Sequence, residues 1–505
     1  MSSKPSIFEY IKQVWPVLTR THQDLANAAV DPKYPVRAGQ QLPVYIGAKE
    51  DLRRIEVHLR GQMTPQDFEK IELRKLPAQM SQVREHGLLY LPKPYVVPGG
   101  RFNEMYGWDS FFIQLGLLRD GQVKLARDIA DNFLYEIREY GMVLNANRTY
   151  YLTRSQPPFL TQMVLAAFEK TQDLKWLEDS VPALESYYKY WISEPHLTPE
   201  TGLSRYIDLG HGPAPEVISS EHDNRGRTDY ELLLEYFRNH KIPDYDVTKY
   251  YDLRDHKFTD AFYKGDRSMR ESGFDPSSRF GPFNIDIVHY NPVCLNSLLY
   301  LMEAQMGQIL HLLNKESETK LWEQRAAERV ERINRLLWDE KDGLYYDYNF
   351  LSRKVRRYSF LTTFYPLWAG FATDRQAASV VANLGRFQRA GGLQTSEFQS
   401  GDQWDSPFGW APLQLIAVEG LRRYSYKDEA DRISINFLKM VHHEYRSSGN
   451  LEEKYDVVRG SAQIGNELRY GYRTNEAGFG WTNGVFEVLF DGLSKQHQSE
   501  ILTGK

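Results

Sequence analysis

Two short stretches of this chain carry carboxyl groups in settings suited to proton transfer. In Glu271-Ser272-Gly273-Phe274-Asp275-Pro276-Ser277-Ser278-Arg279-Phe280, Asp275 follows a glycine and an aromatic ring and precedes proline. Proline disfavours helix at the residue before it, so Asp275 belongs to a loop or turn. A carboxyl set against aromatic rings stays protonated to higher pH, as a general acid requires. An Asx-turn before Pro276 is the plainer reading. In Glu452-Glu453-Lys454-Tyr455-Asp456, Glu453 beside Lys454 is either a solvated ion pair, the usual fate of such residues, or a carboxylate kept ionised to activate water.

Three further clusters supply rings and hydrogen-bonding groups. The segment Pro98-Gly99-Gly100-Arg101-Phe102-Asn103-Glu104-Met105-Tyr106-Gly107-Trp108-Asp109-Ser110-Phe111-Phe112 crowds aromatics, an arginine and carboxylates behind a glycine pair. Such glycines take dihedrals closed to other residues. Apolar faces beside polar edges suit a sugar; a core turn with Trp108 buried and Arg101 paired to Asp109 is the alternative. In Asn145-Ala146-Asn147-Arg148-Thr149-Tyr150-Tyr151-Leu152-Thr153-Arg154-Ser155-Gln156-Pro157-Pro158 the prolines fit a helix start, with directional donors at its mouth. In Gln403-Trp404-Asp405-Ser406-Pro407-Phe408-Gly409-Trp410-Ala411-Pro412, two indoles around Pro407 and Gly409 suggest a rigid aromatic wall, or simple core packing.

Helices are needed to hold these clusters, and the hydrophobic pattern supplies them. Ala126, Ile129, Ala130, Phe133, Leu134 and Ile137 fall on one face at i, i+3, i+4 spacing. The same period recurs near 158–171, 173–192, 228–238, 290–314, 316–338, 361–373, 376–387, 410–424, 428–446 and 480–493. Residues 5–20 read as a further helix, while Leu42–Gly47 and Ile55–Leu59 read as short extended pieces. The spans 80–109, 193–227, 240–289, 388–409 and 447–480 read as helix-free, and loops this long tend to be functional. All but the 145–158 cluster lie in or beside them. Helix following helix without a linker predicts an all-α body, a closed toroid of helical hairpins. Residues 1–95 are expected to form a small mixed extension packed on a catalytic domain at 96–495, and 496–505 a C-terminal tail.

Composition narrows the partners. A net charge of −5 over 505 residues argues against nucleic acid, whose binding needs concentrated Lys and Arg. Aromatic content of 13% is compatible with carbohydrate binding and also with a large core. The single cysteine, Cys294, allows no internal disulfide and lies in an apolar run. Met1–Tyr10 lacks a charged segment followed by a long apolar one, and no window of about 18 apolar residues predicts a membrane span. A cytoplasmic location is expected.

Together these clusters resemble the trehalase family. Residues 98–109 match its first signature, P-G-G-R-F-x-E-x-Y-x-W-D, at every specified position. Residues 403–412 match the second, Q-W-D-x-P-x-G-W-x-P. Arg154–Pro158, Glu271–Asp275, Glu453–Asp456 and Gly478-Phe479-Gly480-Trp481-Thr482-Asn483-Gly484 resemble further family blocks in the family's order. The resemblance implies an (α/α)6 toroid and an inverting α-glucosidase that uses no metal or other cofactor. It implies Asp275 as general acid and Glu453 as general base, with carboxyls about 6.5–9.5 Å apart to admit a water. It also implies that Arg101, Phe102, Tyr106, Trp108 and Asp109 line the cleaved glucose. Asn145, Arg154, Gln156, Glu216, Gly273, Trp404 and Trp481 are implied as further substrate-binding positions.

Two departures fall on the leaving-group side. The family's R-P-E appears as Ala214-Pro215-Glu216, without its arginine. The family's glycine-rich G-G-G-G-E-Y is replaced by Asn466–Glu476, which includes Arg469, Tyr470, Tyr472 and Arg473. A site that hydrogen-bonds a hydroxyl loses selectivity steeply when that partner goes. The expectation is therefore a smaller polar aglycone, best 2-O-α-glucosylglycerol or glucosylglycerate, with the bulky 469–473 residues narrowing the pocket. The alternative is α,α-trehalose. A non-catalytic sugar-binding protein or a sugar epimerase on the same fold is the remaining class; the former would not require both carboxylates, and the latter is expected to rely on histidines.

Overall fold

The computed structural model describes the whole chain except residues 1–3, 38, 80–81, 220–225, 242–245, 466–467, 469–470, 472–473 and 504–505. Six inner helices form its centre: Asp109–Arg119, Leu160–Thr171, Val293–Leu312, Tyr365–Ala369, Ala411–Arg423 and Gly480–Asp491. Each packs on the next, and the last packs back on the first, so the ring closes. Outer helices Val123–Tyr140, Leu174–Trp191, Glu316–Leu336 and Lys427–Ser448 each pack on the inner helix that precedes them. This is the expected (α/α)6 toroid.

The inner helices are apolar nearly all round because they are buried on every side. In the first of them Phe111, Phe112, Ile113 and Leu117 are all buried, and buried Gln114 satisfies the carbonyls of Ala126 and Met163. Ring closure depends on two glycines. A Cβ on Gly484 would meet the Phe112 carbonyl oxygen at 2.1 Å, and one on Gly116 would meet the Gly484 Cα at 2.8 Å. Only hydrogen at both positions lets the first and sixth inner helices approach so closely.

The first 95 residues are mixed in character. Helix Ile7–Leu18 starts with a capping box between Ser6 and Glu9 and lays Phe8 against Phe486 and Phe490 of the sixth inner helix. Strand Leu42–Ile46 is the centre of a parallel sheet, with Ile71–Lys75 on one side and Leu88–Leu89 on the other. The chain's end is a helix, Lys495–Thr503, that buries Ile501 and packs on Lys427–Ser448.

Four local expectations are corrected, the first being that the span 193–227, read as helix-free, holds the short helix Pro215–Ser219. Ile55–Leu59 is not extended but lies in helix Leu52–Arg60: Asp51 caps it, and Ile55 and Leu59 share its buried face while Val57 faces out. Residues 361–373 are not one helix; a 3-10 turn precedes the short Tyr365–Ala369, which stops at left-handed Gly370. The span 240–289 is not helix-free. It contains Asp260–Glu271, capped by Thr259, whose buried face carries Asp266, Arg267 and Glu271 rather than an apolar stripe. Its Gly265 abuts the Ile285 carbonyl so closely that a Cβ would lie 2.2 Å from the oxygen. Charge and glycine hid this helix from a hydrophobic-period reading. It also proves to be the helix that leads into Asp275.

Candidate active site

The long loops between the helices bring the sequence clusters into contact with one another. Residues 98–109 enter through left-handed Gly99 and Gly100, and the Glu476 side chain occupies the space a Cβ on Gly100 would need. Glu476 accepts the Arg101 backbone N–H at 3.1 Å and lies 3.6 Å from its guanidinium. Arg101 therefore pairs with Glu476, not with Asp109. Phe102 meets Tyr106 and Phe479 edge-on, and Tyr106 leads to Tyr151 in the neighbouring block.

Indoles form the floor. Trp108 is buried among Phe274, Trp404 and Trp481, and Trp404 stacks on Trp410 at 3.9 Å. Gly273 has φ +75°, and its missing Cβ would touch the Trp108 indole at 3.0 Å. The Trp108 N–H donates to the Gln156 side chain at 2.9 Å. Asn145 is buried; its carbonyl accepts the Gly107 N–H and its N–H donates to Arg154. The segments around 108 and 145–156 are thus one hydrogen-bonded unit.

The carboxyl groups stand against this wall. Glu453 is buried just before strand Lys454–Asp456, which pairs antiparallel with Phe408–Trp410. Trp481 Nε1 donates to the Glu453 carbonyl at 3.0 Å. Burial, the charge of Glu453 and the charge of Asp275 together push the buried Asp109 carboxyl well above the usual range. The Asp275 carboxyl is pushed up to about 6 by desolvation, which Arg270 and Arg154 partly oppose. Its side chain keeps 34% of its surface open. The solvated ion pair read for Glu453 and Lys454 does not occur: Lys454 is buried and its ammonium donates to Gln403 Oε1 at 3.0 Å.

The surroundings of Ala214 carry more charge than the Ala214–Glu216 block alone suggests. Arg154 is buried and donates through Nη2 to Glu216 Oε1. Arg270, at the end of helix Asp260–Glu271, reaches in from the facing side. Its Nη2 lies 3.1 Å from Asp266 and its Nη1 3.8 Å from the Asp275 carboxylate. Beside Ala214 stands the Tyr230 hydroxyl, which accepts the Ala214 N–H at 3.0 Å and donates to Asp266 at 2.6 Å. Arg270 is thus linked to Ala214 through Asp266 and Tyr230, although position 214 itself has no arginine. Burial works against the charge of Glu216, but Arg154 and Arg270 overcome it and hold the carboxyl down at about 2. Among the described residues, Arg154 Nε and Nη1 and Glu216 Oε2 are buried without a hydrogen-bond partner.

Comparison with known proteins places this architecture. The trehalase family model matches residues 11–494. The chain belongs to the trehalase family. Cytosolic neutral trehalase of Emericella nidulans is 34% identical over 93% of this trehalase-family chain, and that of Neurospora crassa 36% identical over 78%. The chain spans 68% and 57% of those relatives' lengths. The structure of neutral trehalase Nth1 from Saccharomyces cerevisiae superposes with a TM-score of 0.81 at 31% identity, covering 98% of this chain and 95% of that one. The chain is accordingly a glycoside hydrolase of the trehalase family.

These findings correct the expectation of a glucosylglycerol- or glucosylglycerate-type substrate, since relatives matching most of the chain are neutral trehalases. One of its two physical grounds also weakens, because Arg270 stands near the block that lacks an arginine at position 214 and acts on Glu216. Arg469, Tyr470, Tyr472 and Arg473, read as narrowing the pocket, lie outside the described residues. Sequence reasoning missed Arg270, Asp266, Glu476 and Gln403. Arg270 stands directly before the Glu271–Asp275 block, Gln403 opens the second signature and Glu476 ends the 466–476 stretch, but none of these was given a role. Among the described residues no helix is long and apolar enough to cross a membrane.

Proposed function

We propose that this chain hydrolyses α,α-trehalose to two glucose molecules, with inversion at the cleaved anomeric carbon. The observation that supports the reading is the array Arg154, Glu216 and Arg270 beside Asp275, in which buried Arg154 nitrogens and one Glu216 oxygen make no hydrogen bond. A second glucose brings enough hydroxyls to satisfy them. A smaller aglycone leaves several unmet, which is costly in a buried site. The names of the fungal relatives support a cytosolic setting.

In this reading Asp275 is the general acid. Its raised range keeps it protonated to about pH 6, so it can donate to the glycosidic oxygen as the C1–O bond breaks. Glu453 is the general base. It takes a proton from a water that attacks C1 from the opposite face, which requires room for that water between the two carboxyls. The indole floor, Arg101, Phe102, Tyr106 and Asp109 hold the glucose being cleaved. Asn145, Arg154, Gln156, Glu216 and Gly273 shape the junction with the leaving sugar.

Proton NMR of early product tests both parts. Inverting hydrolysis of this doubly α-linked sugar yields α- and β-glucose in equal amounts before mutarotation. Release of α-glucose alone would overturn inversion, and no release of glucose would overturn the substrate.

A further inference from the structure

The chain offers one device linking its two key carboxyl blocks, and the mechanism above does not use it. Lys454 follows Glu453 directly, and its backbone is clamped on both sides by Asn475, which accepts its N–H at 3.2 Å and donates to its carbonyl at 2.8 Å. With the backbone fixed, the side chain runs inward over the Trp410 ring at 5.4 Å and donates to Gln403 Oε1 at 3.0 Å. Gln403 Nε2 in turn donates to the backbone carbonyl of Asp275. The next residue repeats the grip: the Trp404 N–H donates to the Pro276 carbonyl at 3.1 Å.

Gln403 has little freedom to do anything else. Its carbonyl accepts Trp410 Nε1 at 3.1 Å. Gly471 presses on its amide so closely that a Cβ there would lie 2.7 Å from the amide carbon. Its donor, acceptor and backbone are all committed, and it is 2% exposed. Burying an ammonium beside it carries a desolvation penalty, and an apolar side chain of the same volume would fill the space at less cost. Burial lowers the Lys454 ammonium to about 8, with the Glu453 charge opposing the fall.

We propose that Lys454 and Gln403 act as one positioning unit that fixes the acid-bearing backbone at Asp275 relative to the base at Glu453. The inference rests on the acid and base roles given under the proposed function. Asp275 and Glu453 come from loops far apart in the chain, and the gap between them must admit one water. Misplacement of reacting groups by about 1 Å costs on the order of 10²-fold in rate. A hydrogen-bonded strut from the residue after the base to the acid's own carbonyl holds that gap without touching substrate.

The test compares trehalose with α-glucosyl fluoride, whose fluoride leaves without a proton and so does not need a well-placed acid. In the full chain, Gln403→Leu is expected to lower kcat on trehalose by about 30-fold or more with KM within about threefold, while fluoride hydrolysis falls less than about threefold. Lys454→Met should also lower kcat on trehalose, and the double variant should lose no more than the larger of the two single losses, since the two residues act through one chain of bonds. Gln403→Glu keeps the size and the pairing with Lys454 but removes the donor to Asp275. It repeats the test should the leucine variant not fold, and the same selective loss is expected. Equal loss on both substrates, no loss on trehalose, or single-variant effects that multiply would each overturn the unit. A wild type that hydrolyses the fluoride but not trehalose would instead overturn the substrate reading, and this inference with it.

Discussion

Arg270 Nη1 lies 3.8 Å from the carboxylate of Asp275. The same guanidinium is anchored on Asp266 and acts on Glu216, so one side chain tunes the proposed acid and furnishes the leaving-group side. Removing it separates two consequences. Arg270→Ala should raise KM for trehalose by about 10-fold or more, the range for losing hydrogen bonds to a charged group. Because Arg270 holds the Asp275 carboxyl below where burial alone would put it, its loss should also move the alkaline limb of kcat/KM to higher pH. A pH profile of the variant checks the sign; a limb moving toward acid would contradict the arrangement.

Asp275 trades stability for its protonation. Its folded range is raised from 3.8 to about 6, so its favourable contribution is complete below pH ~4 and lost as pH rises through about 6. Asp275→Asn should therefore lower trehalose turnover by about 10²-fold or more. It should also raise Tm relative to wild type above pH 6, with the gain vanishing near pH 4. Thermal unfolding at both pH values, beside steady-state kinetics, checks the pair of outcomes.

Gly273 stands at φ +75° with the Trp108 indole where a Cβ would go. Gly273→Ala should cost about 1–2 kcal/mol from the left-handed backbone alone. It should also displace the indole floor, so activity falls more than stability does. Denaturant unfolding and kcat/KM measured on one preparation decide this; loss of stability with unchanged activity would contradict it.

Arg148 joins the N-terminal extension to the active-site wall. Fully buried, it donates to Glu104 at 2.8 Å and to the carbonyls of Ala28, Ala29 and Val30 at 2.8–3.0 Å. Arg148→Met leaves Glu104 as an uncompensated buried charge, a loss of about 3–5 kcal/mol. Urea unfolding should show a lower midpoint, and limited proteolysis should open the chain near 28–30 first. An unchanged midpoint would overturn the anchoring role.

Much of this protein was legible in its residues, and the reason is local. The period of apolar positions marks a helix wherever one face is buried, so most helices of the toroid could be read directly. The 98–109 and 403–412 blocks are equally readable because glycines, prolines and indoles at set spacings leave the backbone few choices. Helix Asp260–Glu271 escaped that reading, since its buried face carries charged residues whose partners, such as Asp208 for Arg267, are brought up only in the folded chain. The ring closure through Gly116 and Gly484 was also invisible, because a close approach is a property of two helices and not of either. The surroundings of Ala214 follow the same rule: its sequence block lacks an arginine, and only folding brings Arg270 near it through Asp266 and Tyr230. Residue types decided which chemistry was possible, through local backbone limits and hydrophobic period. Tertiary packing decided which charges meet, because electrostatic pairing depends on distance through space and not along the chain.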